Sequence, residues 1–548
     1  MRVLGVEGTA WCASAAVHDT ETDQTLIESD AYEPESGGIH PREAAEHMGN
    51  AIPRVIETAL QRANGDIDAV AFSKGPGLGP CLRVVGTAAR ALAGTLDVPL
   101  VGVNHMVAHL EIGRHESGFD SPVCLNASGA NAHLLGFHDG RYRVLGETMD
   151  TGVGNAIDKF TRHLGWTHPG GPKVEKAAKD GEYVDLPYVV KGMDFSFSGL
   201  MSAAKAAVDD ATASEASEGQ SEHRSDDGTP VEDVCFSLQE HVFAMLTEVS
   251  ERALSLTGSD ELVLGGGVGQ NARLREMLAE MCEQRGAEFY APEPRFLRDN
   301  AGMIAVLGAK MAAAGDTLDI SASAIDPNFR PDEVSVTWRE NESVAVGHGV
   351  TDGASMSGRS DPRRGAEAVV DVQDGVVVKR RLPKGYRHPE LDATLRRDRT
   401  VLEARLLSEA RKAGVPTPLV HDVDVPEATL RLQHVGDSDL ADALTAEHAR
   451  ELGGHLARLH DRGLVHGDPT TKNVRVGDRL FLVDFGLGYH SGHPEDHAMD
   501  LHVFEGSVAG TATDSAAICR AFEDGYAAVG DDVVLERLAG IRGRGRYQ

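Results

Sequence analysis

Residues 340–365 (ENESVAVGHGVTDGASMSGRSDPRRG) mix Gly, Ser and charge and offer almost nothing to a hydrophobic core. Such a segment hides too little apolar surface to offset the entropy of ordering it, so no core runs through it. The chain therefore folds as two units, as its 548 residues also suggest. Residues 211–230 (ATASEASEGQSEHRSDDGTP) have the same character and read as an acidic, loosely held insertion in the first unit. The expected division is 1–338 for the first unit, 339–356 for a linker and 357–548 for the second unit.

Charge bounds what the surface can do. Acids outnumber bases 85 to 53, for a net charge of −32, and only 12 of the bases are Lys. Self-repulsion destabilises such a chain in dilute buffer, and salt relieves it. The composition suits a salt-rich cytoplasm; an acidic protein from a GC-rich genome is the plainer alternative. Residues 1–360 carry 28 bases and 54 acids, the remainder 25 and 31, so any nucleic-acid contact must use local basic patches. No apolar run approaches the ~20 residues of a membrane span, and the start (MRVLGVEGTA) lacks a signal-peptide layout. Six dispersed cysteines without a CxxC pair argue against a disulfide framework or a zinc ribbon. A cytoplasmic protein with no membrane partner is expected.

Apolar periodicity predicts strands at Arg2–Val6, Ala13–Val17, Val123–Asn126 and Glu261–Leu264. Helices are predicted at Arg42–Gln61, Leu82–Leu96 and Cys235–Leu254. This alternation is that of an α/β fold. Downstream, Ala368–Val372 and Val376–Arg380 flank Asp374-Gly375 as a hairpin, a long helix covers Leu391–Ala413, and Leu480–Val483 is a short strand.

The second unit carries His466-Gly467-Asp468, then Asn473, then Asp484-Phe485-Gly486. Phosphoryl transfer needs an aspartate to orient the attacking oxygen, and an Asn and an Asp to hold magnesium against phosphates. Asp468, Asn473 and Asp484 supply these in order. Lys379 on the hairpin suits a phosphate-contacting lysine and Glu403 its ion-pair partner. With GYRHPELDATLRRDRTVLEARLLSEARKAGVPTP, HGDPTTKNV and VDFGLG, residues 357–548 resemble the small atypical kinase of the KEOPS complex. The resemblance implies a small bilobal α+β serine/threonine kinase-like domain binding ATP and Mg²⁺, with Gly358, Gly365 and Ala366 in place of the usual glycine loop. Gly467 replaces the arginine that would meet an activation-loop phosphate, and no APE-like segment follows. Both departures are typical of that family and speak against a free-standing protein kinase.

In the first unit, His105 and His109 are spaced i, i+4, which places both imidazoles on one helix face. Surface or capping histidines are the bland alternative. Asp299, at an expected helix start, is the candidate third ligand. A zincin would carry Glu where Met106 stands, so a metalloprotease is the weaker reading. Two glycine loops, Gly75–Pro80 and Leu262–Asn271, lead into helices and could cradle a phosphate or simply turn tightly.

The strings VEGTA, SKGPGLGPCLRVVGTAAR, NHMVAHLE, NASGANAH, HPGGPKVEKAA, GGGVGQNARLREM and RDNAGMI resemble the universal tRNA threonylcarbamoyladenosine transferase family. That resemblance implies an actin-like ATPase fold and an Fe²⁺ or Zn²⁺ ion on His105, His109 and Asp299. It also places the donor, threonylcarbamoyl-AMP, on Asn126, Ala127, Ser128, Gly129, Ala130, Asp158, Gly171, Glu175 and Asn271. The family usually has Tyr where Asn126 stands, so a fourth ligand here would be a neutral carbonyl oxygen. The joint expectation is a bifunctional tRNA-modifying acyltransferase with a regulatory kinase or ATPase half, whose partners are tRNA, ATP and other small KEOPS subunits. The tail Ile541–Gln548 has three arginines and no acid, and is expected to run free and grip RNA. A nucleotide-regulated scaffold with no catalysis is the third reading, which the intact Lys379, Asp468, Asn473 and Asp484 set opposes.

Overall fold

The computed structural model describes residues 1–32, 40–63, 66–129, 131–216, 229–339, 363–373, 375–512 and 514–542. Strand β1 (Arg2–Glu7) is buried along nearly its whole length, as a strand covered on both faces must be. It pairs antiparallel with β2 (Cys12–Asp19), and β2 with β3 (Gln24–Ala31). Helices α1 (Pro41–Ala63) and α2 (Gly79–Leu96) lie on the outer face of this sheet. On its other edge β1 pairs parallel with β4 (Ala69–Gly75), and β4 with β5 (Leu100–Asn104). Helix α3 (His105–Ser117) follows directly.

A second sheet repeats the plan. Its centre, β6 (Val123–Ala127), pairs antiparallel with β7 (Ala132–His138), and β7 with β8 (Arg141–Glu147). Then come α4 (Val153–His163), α5 (Gly171–Ala177), the hairpin β9 (Val190–Lys191) and β10 (Asp194–Phe195), α6 (Ser198–Ala216) and α7 (Val231–Thr257). The chain returns as β11 (Glu261–Gly265), parallel to β6, then α8 (Ala272–Arg285) and β12 (Glu288–Tyr290), parallel to β11. Helices α9 (Pro294–Leu297) and α10 (Ala301–Ala313) close the unit. The orders β3-β2-β1-β4-β5 and β8-β7-β6-β11-β12 match strand for strand in sense, so the fold is a duplicated α/β unit. Helices α3 and α10 fill the space between the sheets, in one core with Val3, Val101, Cys124 and Val263. Helix α10 comes so close to β1 that a Cβ on Gly5 would lie 2.5 Å from the Ala301 carbonyl oxygen.

The second unit begins with an antiparallel sheet of β13 (Arg363–Arg364), β14 (Ala368–Gln373), β15 (Val376–Arg381), β16 (Val420–Asp424) and β17 (Thr429–Gln433), ordered β13-β14-β15-β17-β16. Helix α11 (Pro389–Lys412) accompanies it. Helices α12 (Ala446–Asp461), α13 (Pro494–Thr511), α14 (Ser515–Ala527) and α15 (Asp532–Arg542) build the lower part around Leu456, Phe485, Phe504 and Phe522.

Three expectations need correction. Helix α6 runs through Ala216, so the start of the acidic insertion is helical, while residues 217–228 lie outside the described residues. The linker does not begin at 339: Arg339 stacks 3.8 Å over the Phe137 ring and donates to the Asp120 carbonyl, because a guanidinium can cover an aromatic face while its hydrogen bonds are met. The rest of the linker, and Asp374 of the hairpin turn, lie outside the described residues. Arg542 is not part of a free tail, since it ends α15 and is held by Glu505 and Glu523; residues 543–548 lie outside the described residues. Among the described residues no helix is long and apolar enough to cross a membrane.

Candidate metal centre and nucleotide cleft

Strand β5 ends at Asn104, whose side chain caps α3 by accepting from the Met106 and Val107 amides. That cap starts the helix at His105, so both histidines point from its first turns toward Asp299, which precedes the Asn300 cap of α10. The Asp299 Oδ1 lies 3.3 Å from His105 Nε2 and 3.4 Å from His109 Nε2, and one nitrogen of each ring and one carboxylate oxygen all fall within 4.8 Å of one another. Both histidines are buried. Glu7, at the end of β1, sits behind them: its Oε2 meets His105 Nδ1 at 3.2 Å, its Oε1 accepts from the Thr9 amide, and Ser73 donates to it as well. Sequence reasoning quoted Glu7 only as part of the VEGTA string and gave it no role, because it lies 98 positions from His105.

Charge here is tightly coupled. Burial alone would lower the His105 pKa, but Glu7 and Asp299 outweigh it and push it up to about 10. Burial lowers His109, which shares only Asp299 directly. Burial would raise Asp299, yet the two imidazoles hold it well below the usual carboxylate range. Two nitrogens and a carboxylate suit a borderline divalent ion such as Zn²⁺ or Fe²⁺. Asn126 fits this set: it is buried on β6, and its Oδ1 has no hydrogen-bond partner among the described residues. It pairs in register with Gly265, whose Cβ position lies 3.4 Å from the Cβ of His109.

The other donor-site candidates gather at the carboxyl ends of β6 and β11, where ligands of α/β sheets are held. The Ala127–Gly129 turn passes between two glycines: a Cβ on Gly266 would strike the Ala127 carbonyl at 2.2 Å, and one on Gly154 would meet Gly129 Cα at 2.7 Å. Ser128 is occupied in its own turn by Asn131. Asp158 accepts from the Gly170 amide at 2.7 Å and faces His168, which fixes the entry to α5 beside Gly171. Glu175 Oε1 accepts from Ala272 at the start of α8, and Asn271 caps that helix. Ala130 lies outside the described residues. The first glycine loop is not an open cradle: the Gly77 and Leu78 amides are spent on the Pro327 and Thr9 carbonyls.

In the second unit a cavity of about 590 Å³ is lined by Gly365, Ala366, Lys379, Glu403, Asp468, Asn473 and Asp484. Lys379 Nζ lies 2.8 Å from Glu403 Oε1 and 2.7 Å from Asp484 Oδ1. Arg381 also reaches Glu403 at 2.5 Å. Burial would raise Asp484, but Lys379 and Arg381 hold it well below its ordinary value. Asn473 Nδ2 donates to Asp468 Oδ2 at 2.8 Å. Gly358 lies outside the described residues. The same cavity is also lined by Met193, Arg252, Ser255 and Leu256 of the first unit. Arg252, on α7, donates to Asp468 Oδ2 at 2.8 Å and to Glu367 at 2.9 Å. Burial, with Asp484 and Glu367 nearby, pushes Asp468 up to about 7 even though Arg252 opposes the shift. Around them Glu248 and Glu251 of α7 bind Arg387, Arg399 and Lys384 of the second unit. Glu251 and Glu248 lie three apart on one helix face, but their partners are more than a hundred residues away, so the sequence could not pair them.

A duplicated α/β fold, with its polar residues gathered where the strands of both sheets end, defines the class of the first unit. Residues 22–306, more than half of the chain, match the family described as tRNA N6-adenosine threonylcarbamoyltransferase, and the chain belongs to that family. Across its full length it is 68% identical to a protein of Halobacterium salinarum, of which it covers 99%, called a probable bifunctional tRNA threonylcarbamoyladenosine biosynthesis protein. Proteins of the same description from Haloarcula marismortui (63% identical, 100% of both chains) and Methanospirillum hungatei (50%, 100% of this chain and 99% of that one) are similar along their whole length.

Proposed function

We propose that the first unit transfers the threonylcarbamoyl group of threonylcarbamoyl-AMP to the exocyclic amine of the adenosine next to the anticodon, in tRNAs that read codons beginning with A. The convergence of His105, His109 and Asp299 on one point beside Asn126 carries this reading. In the reaction the amine nitrogen forms a bond to the carbamoyl carbon, the bond from that carbon to the phosphate oxygen breaks, AMP leaves, and the amine gives up one proton. His105, His109 and Asp299, with the Asn126 carbonyl oxygen, would hold Fe²⁺ or Zn²⁺. Bound there, the ion supplies a Lewis acid that polarises the donor's acyl or phosphate oxygens. Glu7 keeps His105 turned so that Nε2 faces inward, the usual service of an outer carboxylate. The Ala127–Gly129 turn would wall the donor site, held in place by the Gly154 and Asn155 amides at the start of α4, which donate to the Ser128 and Gly129 carbonyls. Peptide hydrolysis is disfavoured, because Met106 occupies the place of the zincin general base.

The second unit is read as a kinase-like ATPase that regulates or resets the first. Lys379, paired with Glu403, would contact ATP phosphates, Asn473 and Asp484 would hold Mg²⁺, and Asp468 would orient the attacking oxygen. The deciding experiment is mass spectrometry of tRNA nucleosides after incubating the metal-loaded protein with tRNA transcript and threonylcarbamoyl-AMP. Threonylcarbamoyladenosine should form with the wild type and not with His109→Ala. Unmodified adenosine throughout would reject the reading.

A further inference from the structure

Four of the 12 lysines of this acidic chain fall between residues 159 and 179. With Arg162 they make five bases against a single acid, Glu175, where the chain as a whole has 53 bases and 85 acids. Lys159 and Arg162 stand three apart on α4; Lys173, Lys176 and Lys179 follow at the same spacing along α5 and the short turn after it. Spacing of three sets side chains in a row on one helix face. Helices α4 and α5 pack on each other and bury Ile157, Phe160 and Val174 in one core, with the basic rows on their exposed sides.

These cations are not neutralised at home. Lys159, Arg162, Lys176 and Lys179 are exposed, and none has an ion-pair or hydrogen-bond partner for its side chain among the described residues. Other exposed bases divide: Arg54, Arg62 and Arg450 are matched by carboxylates, while Arg141, Arg405 and Lys412 are unmatched as well among the described residues but are not gathered four within a stretch of 21 residues. Lys173 alone of the five is tied down, to Thr167. A chain with acid to spare that leaves four neighbouring bases unmatched presents them to an anion from outside. One phosphate needs fewer charges than this, whereas a row of bases along two helices matches the repeating charge of a nucleic-acid backbone.

The place agrees. Helix α5 touches the start of α8 through Glu175, and the loop before α8 leaves β11 at Gly265, against His109. The basic rows therefore stand at the rim of the cleft that ends at the two histidines. We propose that this α4–α5 face is where the tRNA sugar-phosphate backbone docks, which fixes the nucleotide to be modified over the cleft. The inference rests on the transfer reading for the identity of the RNA. The docking contact itself is electrostatic and carries no base specificity.

The test uses the full-length protein and a fluorescent tRNA transcript, with affinity followed between about 0.2 and 0.8 M KCl, because each phosphate contact adds about one unit to the salt slope. The variant Lys159→Gln/Arg162→Gln/Lys176→Gln/Lys179→Gln should flatten that slope by about three to four units and weaken binding at least about tenfold at the low-salt end. The pair Lys176→Gln/Lys179→Gln should give about half the change in slope. Melting temperature and the stabilisation conferred by threonylcarbamoyl-AMP should stay at wild-type values. Arg405→Gln/Lys412→Gln, two exposed bases on α11, is the control and should leave the slope unchanged. Unchanged affinity and slope in the fourfold variant would overturn the proposal, as would an equal loss in the control. Because binding is read without the reaction, the docking face is decided whether or not the wild type transfers the group.

Discussion

Replacing Arg252 by Gln removes the positive charge that reaches from the first unit onto Asp468 and Glu367. Two unit charges about 4 Å apart interact by about 4 kcal/mol at an effective dielectric of 20, equivalent to about three pKa units. Water entering the vacated space and the retained Asn473 contact reduce this, so a rise of about one to two units in the Asp468 pKa is expected. The sign is fixed: Arg252 stabilises the charged carboxylate, so its loss favours the protonated form. With wild-type Asp468 at about 7, the acid limb of the ATP hydrolysis proposed for the second unit should move from there to about 8–9. At pH 7 the variant should be about 5–50-fold slower, whereas above pH 9 its plateau should match or exceed the wild type, because Asp468 Oδ2, relieved of Arg252, can then accept from the attacking water while keeping its Asn473 bond. The assay is phosphate release against pH in molar KCl, with circular dichroism confirming a folded variant. An acid limb that stays in place would refute the coupling between Arg252 and Asp468.

Other outcomes follow from the same structure. His109→Ala should lose the metal on chelator challenge, and Glu7→Gln should weaken it by about 10–100-fold while keeping the fold, as read by metal analysis after dialysis. Asp194, buried between Glu147 and the second unit, is pushed by burial up to about 7, so the fold favours its neutral form and loses stability as pH rises from about 4 toward 7. Asp194→Asn should therefore raise the melting temperature at pH 8, with the gain shrinking toward pH 4; a gain equal at both values would contradict this. Glu248→Gln leaves Arg387 and Arg399 short of a partner and should cost about 3–5 kcal/mol in chemical denaturation. With a net charge of −32, the melting temperature should rise from low to molar KCl; a flat response would leave the acidity without this explanation.

Local pattern made part of the centre legible. The spacing of His105 and His109 survives in any helix, and the Asn-Ala start of α10 marks where Asp299 must stand, so both were readable before any contact was known. Strand β1 and the Lys379 hairpin were legible for the same reason, since period and turn chemistry act over a few residues. Glu7, Arg252 and Glu367 were not, because each acts on a partner brought near only by the tertiary fold. The duplication of the two sheets was equally hidden: it lies in strand order and sense, which no apolar period encodes. Arg542 shows the converse error, a terminal base read as free because its partners Glu505 and Glu523 are distant in sequence.

Helix α7 belongs to both units. Its inner residues, Leu238, Val242 and Leu246 among them, sit in the core of the first unit, while Glu248, Glu251 and Arg252 are sunk into the second. Opening the second unit would strip Glu248, Glu251 and Arg252 of their partners across the seam, leaving Arg252–Glu248 and Arg285–Glu251 within the first unit, and fraying the end of α7 would take the Glu248 and Glu251 carboxylates from Arg387, Arg399 and Lys384. Backbone amide exchange should therefore proceed in step across the last turns of α7, the start of α11 and the loop from His466 to Asn473, even though α7 and α11 pack into different hydrophobic cores. Heat should likewise melt the chain in a single cooperative transition, and cutting it within residues 340–362 should leave two fragments that remain associated.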